Sequence, residues 1–230
     1  MRVWDIHPGY LNRQSLLGEH RELHGLVSIL VNGKKGYSQH PETLRWVGYG
    51  WALKQRHQEL VYEMNLRGYQ DRTPVRTRSN QGEWPYIYID EPHIQFKLLK
   101  QKYVNKEQGR IQLPRNTQEL WSHHKYSVLA RDQKKYKDIG RNISSKKVDF
   151  ETLSMELVKL LRTPPNEGGV RNALEHMWGY VSEVTNNNCK GNSNSWSLKK
   201  LLTLTQENVK KSKEPYLTNS TALSELMAWV

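Results

Sequence analysis

The spacing of apolar residues constrains the fold of this chain more than any other feature of its sequence. Between residues 11 and 31, leucine and valine recur every three or four positions, as they do on one face of an α-helix. Residues 42–68 continue this pattern over a longer stretch that ends at Gly68, a residue suited to a helix C-terminus. The one strand-like run, WPYIYI at residues 84–89, is too short to supply a sheet. The pattern therefore predicts a mainly α protein.

Further helices are expected in segments that strong helix breakers separate. A shorter helix is predicted over residues 92–106, where Pro92 suits the first turn. In the second half, the helical segments are residues 117–139, 148–162, 169–184, 196–212 and 219–229. The most polar of the intervening loops covers residues 186–195. This segmentation favours a compact helical domain at residues 1–110 and a second all-helical domain at residues 115–230.

Composition narrows the class of protein. The 230 residues include 35 Lys and Arg against 23 Asp and Glu, and the formal net charge is +12. This surplus, together with eight Trp and twelve Tyr, favours a nucleic acid as partner, although the charge could also serve only solubility. One cysteine, Cys189, rules out a disulfide framework and a cysteine-based zinc site. Neither a membrane-spanning run nor a secretory signal is visible, so we expect a cytoplasmic protein.

The densest group of polar residues lies in the first predicted helix. Residues 16–26 read LLGEHRELHGL and place four charged or titratable residues in succession, Glu19, His20, Arg21 and Glu22. Glu19 and Glu22 are three residues apart, so both point to nearly the same side of a helix. Taken alone, such a group is most simply a solvated helix face with local ion pairs.

Four sequence blocks, one of which contains this group, occur in an order and spacing that indicate a functional role for it. These blocks are Arg2, LLGEHRELHGL at 16–26, VNGKKGYS at 31–38 and KQRHQELVYEMNLRGYQDRTPV at 54–75. Together they resemble the pyrimidine dimer DNA glycosylase, or endonuclease V, family over most of residues 1 to about 105. The resemblance implies a DNA repair enzyme that acts on double-stranded DNA containing a lesion. It also implies two activities, a DNA glycosylase and an abasic-site (AP) lyase.

The resemblance further implies which residues react. The family's nucleophile is the α-amine of the mature N-terminal residue, and its key carboxylate is the glutamate of an Arg-Glu-Leu motif. Here that motif is Arg21-Glu22-Leu23. With this motif aligned, Met1 falls on the family's nucleophile position, and Arg2 falls on the next position, where the family also has an arginine. Met1 would form an imine with the sugar, and Glu22 would act as the acid/base and electrostatic partner. An α-amine suits this task because its ordinary pKa of about 7.8 leaves roughly a tenth of it neutral at pH 7.

The same resemblance implies how DNA is held. Arg2 and Arg21 would contact phosphates near the lesion, and Lys34 and Lys35 would contact the backbone from the turn after the first helix. The full set of predicted DNA-binding residues is Arg2, Glu19, His20, Arg21, His24, Lys34 and Lys35. The imine chemistry needs neither a cofactor nor a metal ion, and we expect neither. We also expect a monomer that is associated with the nucleoid.

Three positions depart from the phage member of that family. Ser15 stands where that enzyme has a histidine, and His24 and Gly25 stand where it has a proline and an arginine. One alternative is therefore the same mechanism on a different damaged or modified base. A second alternative is a non-catalytic nucleic-acid-binding module, although the combination of Glu22 with a large second residue argues against it. His57 is expected on a helix flank, outside the catalytic group.

Three short motifs mark the second half of the chain. They are His124-Lys125-Tyr126, the stretch from Tyr136 to Arg141, and the stretch from Asn172 to Tyr180. With residues 215–230, they resemble a helical domain family of unknown function that occurs near DNA photolyase. Five polar residues could converge there on a phosphate or a flipped base, His124, Lys125, Arg141, Arg171 and His176. The alternative is an aromatic core with these polar residues at the surface.

Overall fold

The computed structural model describes residues 1–182 and 195–230, and within these ranges it contains helices and connecting segments but no strand. The prediction of a mainly α protein is confirmed. The chain divides into two compact units, Met1–Gly109 and Arg110–Val230. Among the described residues, no helix is both long enough and apolar enough to cross a membrane. Cys189 and most of the loop predicted at residues 186–195 lie outside the described residues.

The first unit is built from four α-helices, which follow a short 3-10 turn at Pro8–Tyr10. They are α1 (Arg13–Asn32), α2 (Pro41–Arg45), α3 (Gly50–Leu66) and α4 (Pro92–Lys102). Asn12 begins α1 by accepting a hydrogen bond from the Ser15 amide at 2.9 Å. Gly33 ends α1 in the left-handed conformation, with φ of 60°. The core of the unit includes fully buried leucines of α1 and α3, among them Leu16, Leu23, Leu26, Leu53 and Leu60.

Residues 42–68 do not form the single helix that the apolar pattern predicts. The chain leaves the helical path between α2 and α3, where Gly48 adopts a φ of 86° that favours glycine. Trp46 lies at this break, is 1% exposed, and donates from Nε1 to Glu42 Oε1 at 2.9 Å. The predicted end is close to the observed one, because Gly68 has a φ of 84° just beyond α3.

The second unit consists of short helices, several of which pack around the buried helix α5. Its helices are α5 (Thr117–Leu129), α6 (Gln133–Ser144), α7 (Phe150–Leu161), α8 (Glu167–Val181), α9 (Leu198–Ser212), α10 (Pro215–Thr218) and α11 (Ala222–Glu225). The predicted helix at residues 117–139 is two helices, because Asp132 leaves the helical conformation and caps α6 at the Lys135 amide. The helix predicted at residues 219–229 is likewise reduced to α11 and a 3-10 turn at Leu226–Ala228.

Candidate active site

The first residues of the chain run beside α1 and are bonded to it through two carboxylates. The Arg2 amide donates to Glu22 Oε2 at 2.5 Å, and the Trp4 amide donates to Glu19 Oε1 at 3.1 Å. Glu19 and Glu22 are three residues apart and therefore lie next to each other on one side of α1. Their carboxylates accept hydrogen bonds from both amides. The α-amine of Met1 precedes the Arg2 amide by one residue, so it lies no more than about 6 Å from Glu22 Oε2.

The two carboxylates have different surroundings. Glu19 is 2% exposed, whereas Glu22 is partly exposed. Arg56 of α3 forms a bidentate ion pair with Glu19, donating from Nε to Oε1 at 2.8 Å and from Nη2 to Oε2 at 3.0 Å. Burial raises the pKa of Glu19, and the charge and hydrogen bonds of Arg56 oppose that rise. Glu19 thus fixes the N-terminal segment from inside, while Glu22 faces the accessible side.

The Arg2 side chain also holds the N-terminal segment in place. Its Nη2 donates to Asp90 Oδ2 at 2.6 Å, and its guanidinium lies 4.1 Å from the centre of the Trp4 ring. Both side chains of the ion pair are 30% exposed. The predicted phosphate contact of Arg2 would therefore have to compete with Asp90 for the guanidinium.

Asp5 anchors the next part of the segment to two further helices. Its carboxylate, 1% exposed, accepts hydrogen bonds from Arg45 at 2.8 and 3.2 Å. The Asp5 amide donates to Oε1 of Gln95 on α4 at 2.8 Å, and the Ile6 amide donates to the same oxygen at 3.3 Å. The segment that leads to Met1 is therefore bonded to α1, α2 and α4, and its position beside Glu22 is set by buried polar groups.

Beside Glu22, the surface of α1 is open and basic. Gly18 and Gly25 lie about one turn before and after Glu22, and a Cβ at either glycine would meet nothing within 4 Å. A groove of about 770 Å³ adjoins this face, and its charged lining residues are Arg13, Arg21, Lys106 and Glu107. The surface therefore has basic side chains close to Glu22, and a large ligand can approach the Glu22 carboxylate closely.

The other predicted DNA contacts fall into separate places. Lys34 and Lys35 are exposed just beyond Gly33, at the C-terminal end of α1. Glu19 does not fit the predicted set, because it is buried and both of its oxygens accept hydrogen bonds from Arg56. We correct its role to internal support of the N-terminal segment.

His20 and His24 also lie away from Glu22. At about 100° per residue, both project from the side of α1 roughly opposite to Glu22. There they meet His57 of α3 and Asp71 of the segment that follows α3. His57 is 4% exposed, so the expectation of a helix flank is wrong. This group is not among the predicted sites, although the i, i+4 spacing of His20 and His24 places both rings on one face of a helix.

In the second unit, four of the five residues proposed to converge have separate partners, and the fifth is exposed. His124 is buried with Nδ1 2.8 Å from the Leu120 carbonyl oxygen, and Lys125 lies 4.6 Å from the centre of the Tyr216 ring. Arg171 donates to the Trp196 carbonyl at 3.0 Å, Arg141 pairs with Asp138, and His176 is exposed. These contacts favour the alternative of an aromatic core with polar residues around it.

Comparison with known families separates the chain in the same way. Residues 1–77 match the family model described as pyrimidine dimer DNA glycosylase. Residues 125–226 match the family model described as protein of unknown function (DUF1722). No curated protein and no solved structure matches the chain. The two-part resemblance inferred from the sequence is thereby confirmed, and the first match supports a DNA repair glycosylase.

Proposed function

We propose that this protein excises pyrimidine dimers from DNA and then cleaves the abasic site, with the Met1 α-amine as nucleophile and Glu22 as its acid/base partner. One observation carries the proposal: the Arg2 amide donates to Glu22 Oε2 at 2.5 Å and so fixes the chain's first residue beside that carboxylate. The match of residues 1–77 to pyrimidine dimer DNA glycosylases supports the substrate class.

The first step is base displacement. The neutral amine of Met1 attacks C1′ of the lesion nucleotide, the glycosidic bond breaks, and the electron pair of that bond leaves with the base. Loss of a proton from nitrogen and opening of the sugar ring then give a protonated imine between Met1 and C1′. Glu22 stabilises the positive charge that develops on the sugar and on the nitrogen.

The second step is strand cleavage. Glu22 takes a proton from C2′, the electrons move toward the imine, and the 3′ phosphate leaves by β-elimination. Water then hydrolyses the imine and frees the amine. A carboxylate serves both steps because it can hold negative charge opposite a cation and can also accept a proton.

The surface beside Glu22 fits a DNA backbone. Arg13, Arg21 and Lys106 place three cations along the groove, and Lys34 and Lys35 extend the basic surface beyond the end of α1. Such cations bind phosphates without reading sequence. Gly18 and Gly25 leave the space that a sugar-phosphate backbone needs to approach Glu22.

The three departures from the phage enzyme bear on the choice of lesion. Ser15 is 5% exposed, and His24 packs against His20 and His57 on the far side of α1. Ser15 and Gly25 both lie on the side of α1 that carries Glu22, but Ser15 is buried whereas Gly25 is exposed. Because only Gly25 changes the accessible surface beside Glu22, pyrimidine dimers remain the favoured substrate over a different damaged base.

A cleavage assay tests this proposal. Untagged protein, its N-terminal residue verified by mass, is incubated with one duplex that has a thymine dimer and one that has an abasic site. We expect both to be nicked, and Glu22→Gln to lower the rate on both by roughly 10²- to 10⁴-fold. Glu207→Gln, an exposed glutamate of α9, is the matched control and should cleave like wild type.

Two outcomes would overturn parts of the proposal. Cleavage of the abasic duplex alone would keep the amine chemistry and reject pyrimidine dimers as the substrate. Equal rates for Glu22→Gln and wild type would reject the role of Glu22.

A further inference from the structure

Three imidazole rings and one carboxylate converge on a single point in the first unit. The Nε2 atom of His24 lies 3.3 Å from Nε2 of His20 and 3.2 Å from Nε2 of His57. Asp71 Oδ1 is 3.1 Å from His20 Nε2 and 3.9 Å from His24 Nε2, and Asp71 Oδ2 is 3.8 Å from His57 Nε2. All four residues offer a ligand atom within 4.8 Å of the others.

These separations have the size that a tetrahedral metal site requires. Zinc binds imidazole nitrogen at about 2.0–2.1 Å and carboxylate oxygen at about 2.0–2.2 Å, so neighbouring tetrahedral ligands lie roughly 3.3–3.5 Å apart. The five separations between 3.1 and 3.9 Å bracket that distance. The remaining pair, His20 and His57, also has ligand atoms within 4.8 Å, so small side-chain movements would bring one atom of each residue onto one ion.

Hydrogen bonds among the rings account for only one of the two ring contacts of His24. A neutral imidazole has one donor nitrogen and one acceptor nitrogen. His24 Nε2 faces two other Nε2 atoms at nearly equal distances, 3.3 and 3.2 Å, and a single hydrogen on it can be directed to only one of them. A cation at the centre would accept a lone pair from every ring at once.

The four side chains come from three parts of the chain. His20 and His24 occupy one face of α1, His57 lies on α3, and Asp71 lies in the segment after α3. Their side chains are 17%, 25%, 5% and 11% exposed. An ion bound here would therefore join α1, α3 and that segment inside the unit.

We propose that His20, His24, His57 and Asp71 bind one divalent transition metal ion, with Zn²⁺ the best fit, as a structural site. Three imidazoles and one carboxylate suit Zn²⁺, whereas Mg²⁺ and Ca²⁺ require oxygen ligands. Four protein ligands complete a tetrahedral set, which is typical of structural sites that leave no position open for substrate. This site departs from the expectation of no metal ion, which rested on the imine chemistry needing none.

The proposed ion would set the orientation of α1 and take no part in the reaction. Its ligands on α1 lie roughly opposite to Glu22 around the helix axis. Because the site is proposed from its own geometry, it does not depend on the proposed glycosylase activity, and its test reads metal binding instead of DNA cleavage.

The test uses protein without a polyhistidine tag. Elemental analysis of the purified protein should find one transition metal ion per chain. After a chelator removes the ion, Co²⁺ is titrated into the protein, because tetrahedral Co²⁺ absorbs far more strongly in the visible range than octahedral Co²⁺. We expect the tetrahedral bands to saturate at one equivalent and to disappear when Zn²⁺ is added.

Variants locate the site. His24→Asn and Asp71→Asn should lose the tetrahedral bands or bind Co²⁺ at least tenfold more weakly. His176→Asn, an exposed histidine of α8, should bind like wild type. Because a ligand variant could fail to fold, the thermal midpoint of wild type is also measured with and without Zn²⁺, and it should rise when one equivalent is present.

Three results would contradict the proposal. These are wild-type protein that shows no tetrahedral Co²⁺ bands, ligand variants that are folded and bind Co²⁺ as tightly as wild type, and a thermal midpoint that Zn²⁺ does not raise.

Discussion

The two units bury the same kinds of polar side chain and use them differently. In the first unit, the buried Arg56–Glu19 pair also receives the Trp4 amide and so fixes the segment that leads to Met1. In the second unit, the buried Arg131–Glu225 pair, 2.5 Å apart, receives a side chain in place of a backbone amide, because the Trp229 indole donates to Glu225 Oε1 at 2.9 Å. Arg131 also donates to carbonyl groups in the last turns of α5 and α7, at 2.9 Å each, where helices leave carbonyls unsatisfied.

The buried histidines differ in the same way. In the first unit, the buried His57 faces the partly exposed His20 and His24 across α1 and α3, and His24 Nε2 lies 3.2 Å from His57 Nε2 and 3.3 Å from His20 Nε2. His123 and His124 are neighbours on α5, and His124 has its own partner in the Leu120 carbonyl, 2.8 Å away. A histidine therefore indicates a ligand site only where several ring nitrogens face one centre. Where each ring has its own hydrogen-bond partner, the histidine contributes to packing.

The largest expected effect comes from breaking each buried ion pair. Arg56→Met and Arg131→Met each leave a buried carboxylate without its partner, which costs about 3–5 kcal/mol of stability. Hydrogen exchange of each unit, followed by mass spectrometry, measures the loss where it occurs. At temperatures that keep both variants folded, Arg56→Met should also lose DNA cleavage, whereas Arg131→Met should retain it. Equal cleavage by the two variants would contradict the role assigned to the Glu19 anchor.

Acid should weaken the second unit through its buried histidines. Burial lowers the pKa of His123 to about 4 and that of His124 to about 3, below the ordinary value near 6.5. Their neutral forms contribute stability that is present above pH 6.5 and is lost as the pH falls toward 3–4. Exchange rates of α5 amides should rise across this window, and His124→Gln should flatten the dependence. The exposed His176→Gln control should leave it unchanged.

A matched pair of glycines tests the open face beside Glu22. Gly18 in α1 and Gly179 in α8 both have free space where a Cβ would lie. Replacement by Ala should therefore stabilise each helix by about 0.5–1 kcal/mol. Gly18→Ala should nevertheless weaken binding of lesion DNA several-fold, because the added methyl group narrows the approach to Glu22. Gly179→Ala should bind normally, and equal binding by both would show that DNA does not reach this face.

The smallest expected effect is on the salt dependence of DNA binding, and it shows which unit's lysines contact DNA. Replacing Lys34 and Lys35 with Ala should lower the slope of log affinity against log salt by about 2, roughly 0.9 for each phosphate contact. The same replacement of Lys199 and Lys200, exposed on α9, should leave the slope unchanged. An equal decrease for the α9 pair would place DNA contacts on both units.

The sequence was sufficient for what depends on local pattern. Apolar spacing predicted a mainly α chain and the approximate positions of α1 and α4, and motif order predicted the two families. The breaks at Gly48 and Asp132 were missed because helical periodicity continues across them. These breaks depend on a backbone conformation and on a cap that the apolar pattern does not encode.

The candidate site was only partly predictable, because burial depends on tertiary contacts. Spacing correctly placed Glu19 and Glu22 on neighbouring positions of one helix, yet only Arg56 reveals that Glu19 is internal. The histidine cluster was missed because His57 and Asp71 are distant from His20 in sequence and meet it only after α3 has packed on α1. Residues that come together from separate helices do not form a motif that can be recognised in a single sequence.

The most direct test of the central claim is borohydride trapping of untagged protein on thymine-dimer duplex DNA. Borohydride reduces an imine to a stable amine, and mass spectrometry of the digested adduct identifies the residue that carries the sugar. We expect a single adduct on the α-amine of Met1, which is lost when residues are added before it. An adduct on a lysine side chain, or equal trapping by the extended protein, would contradict it.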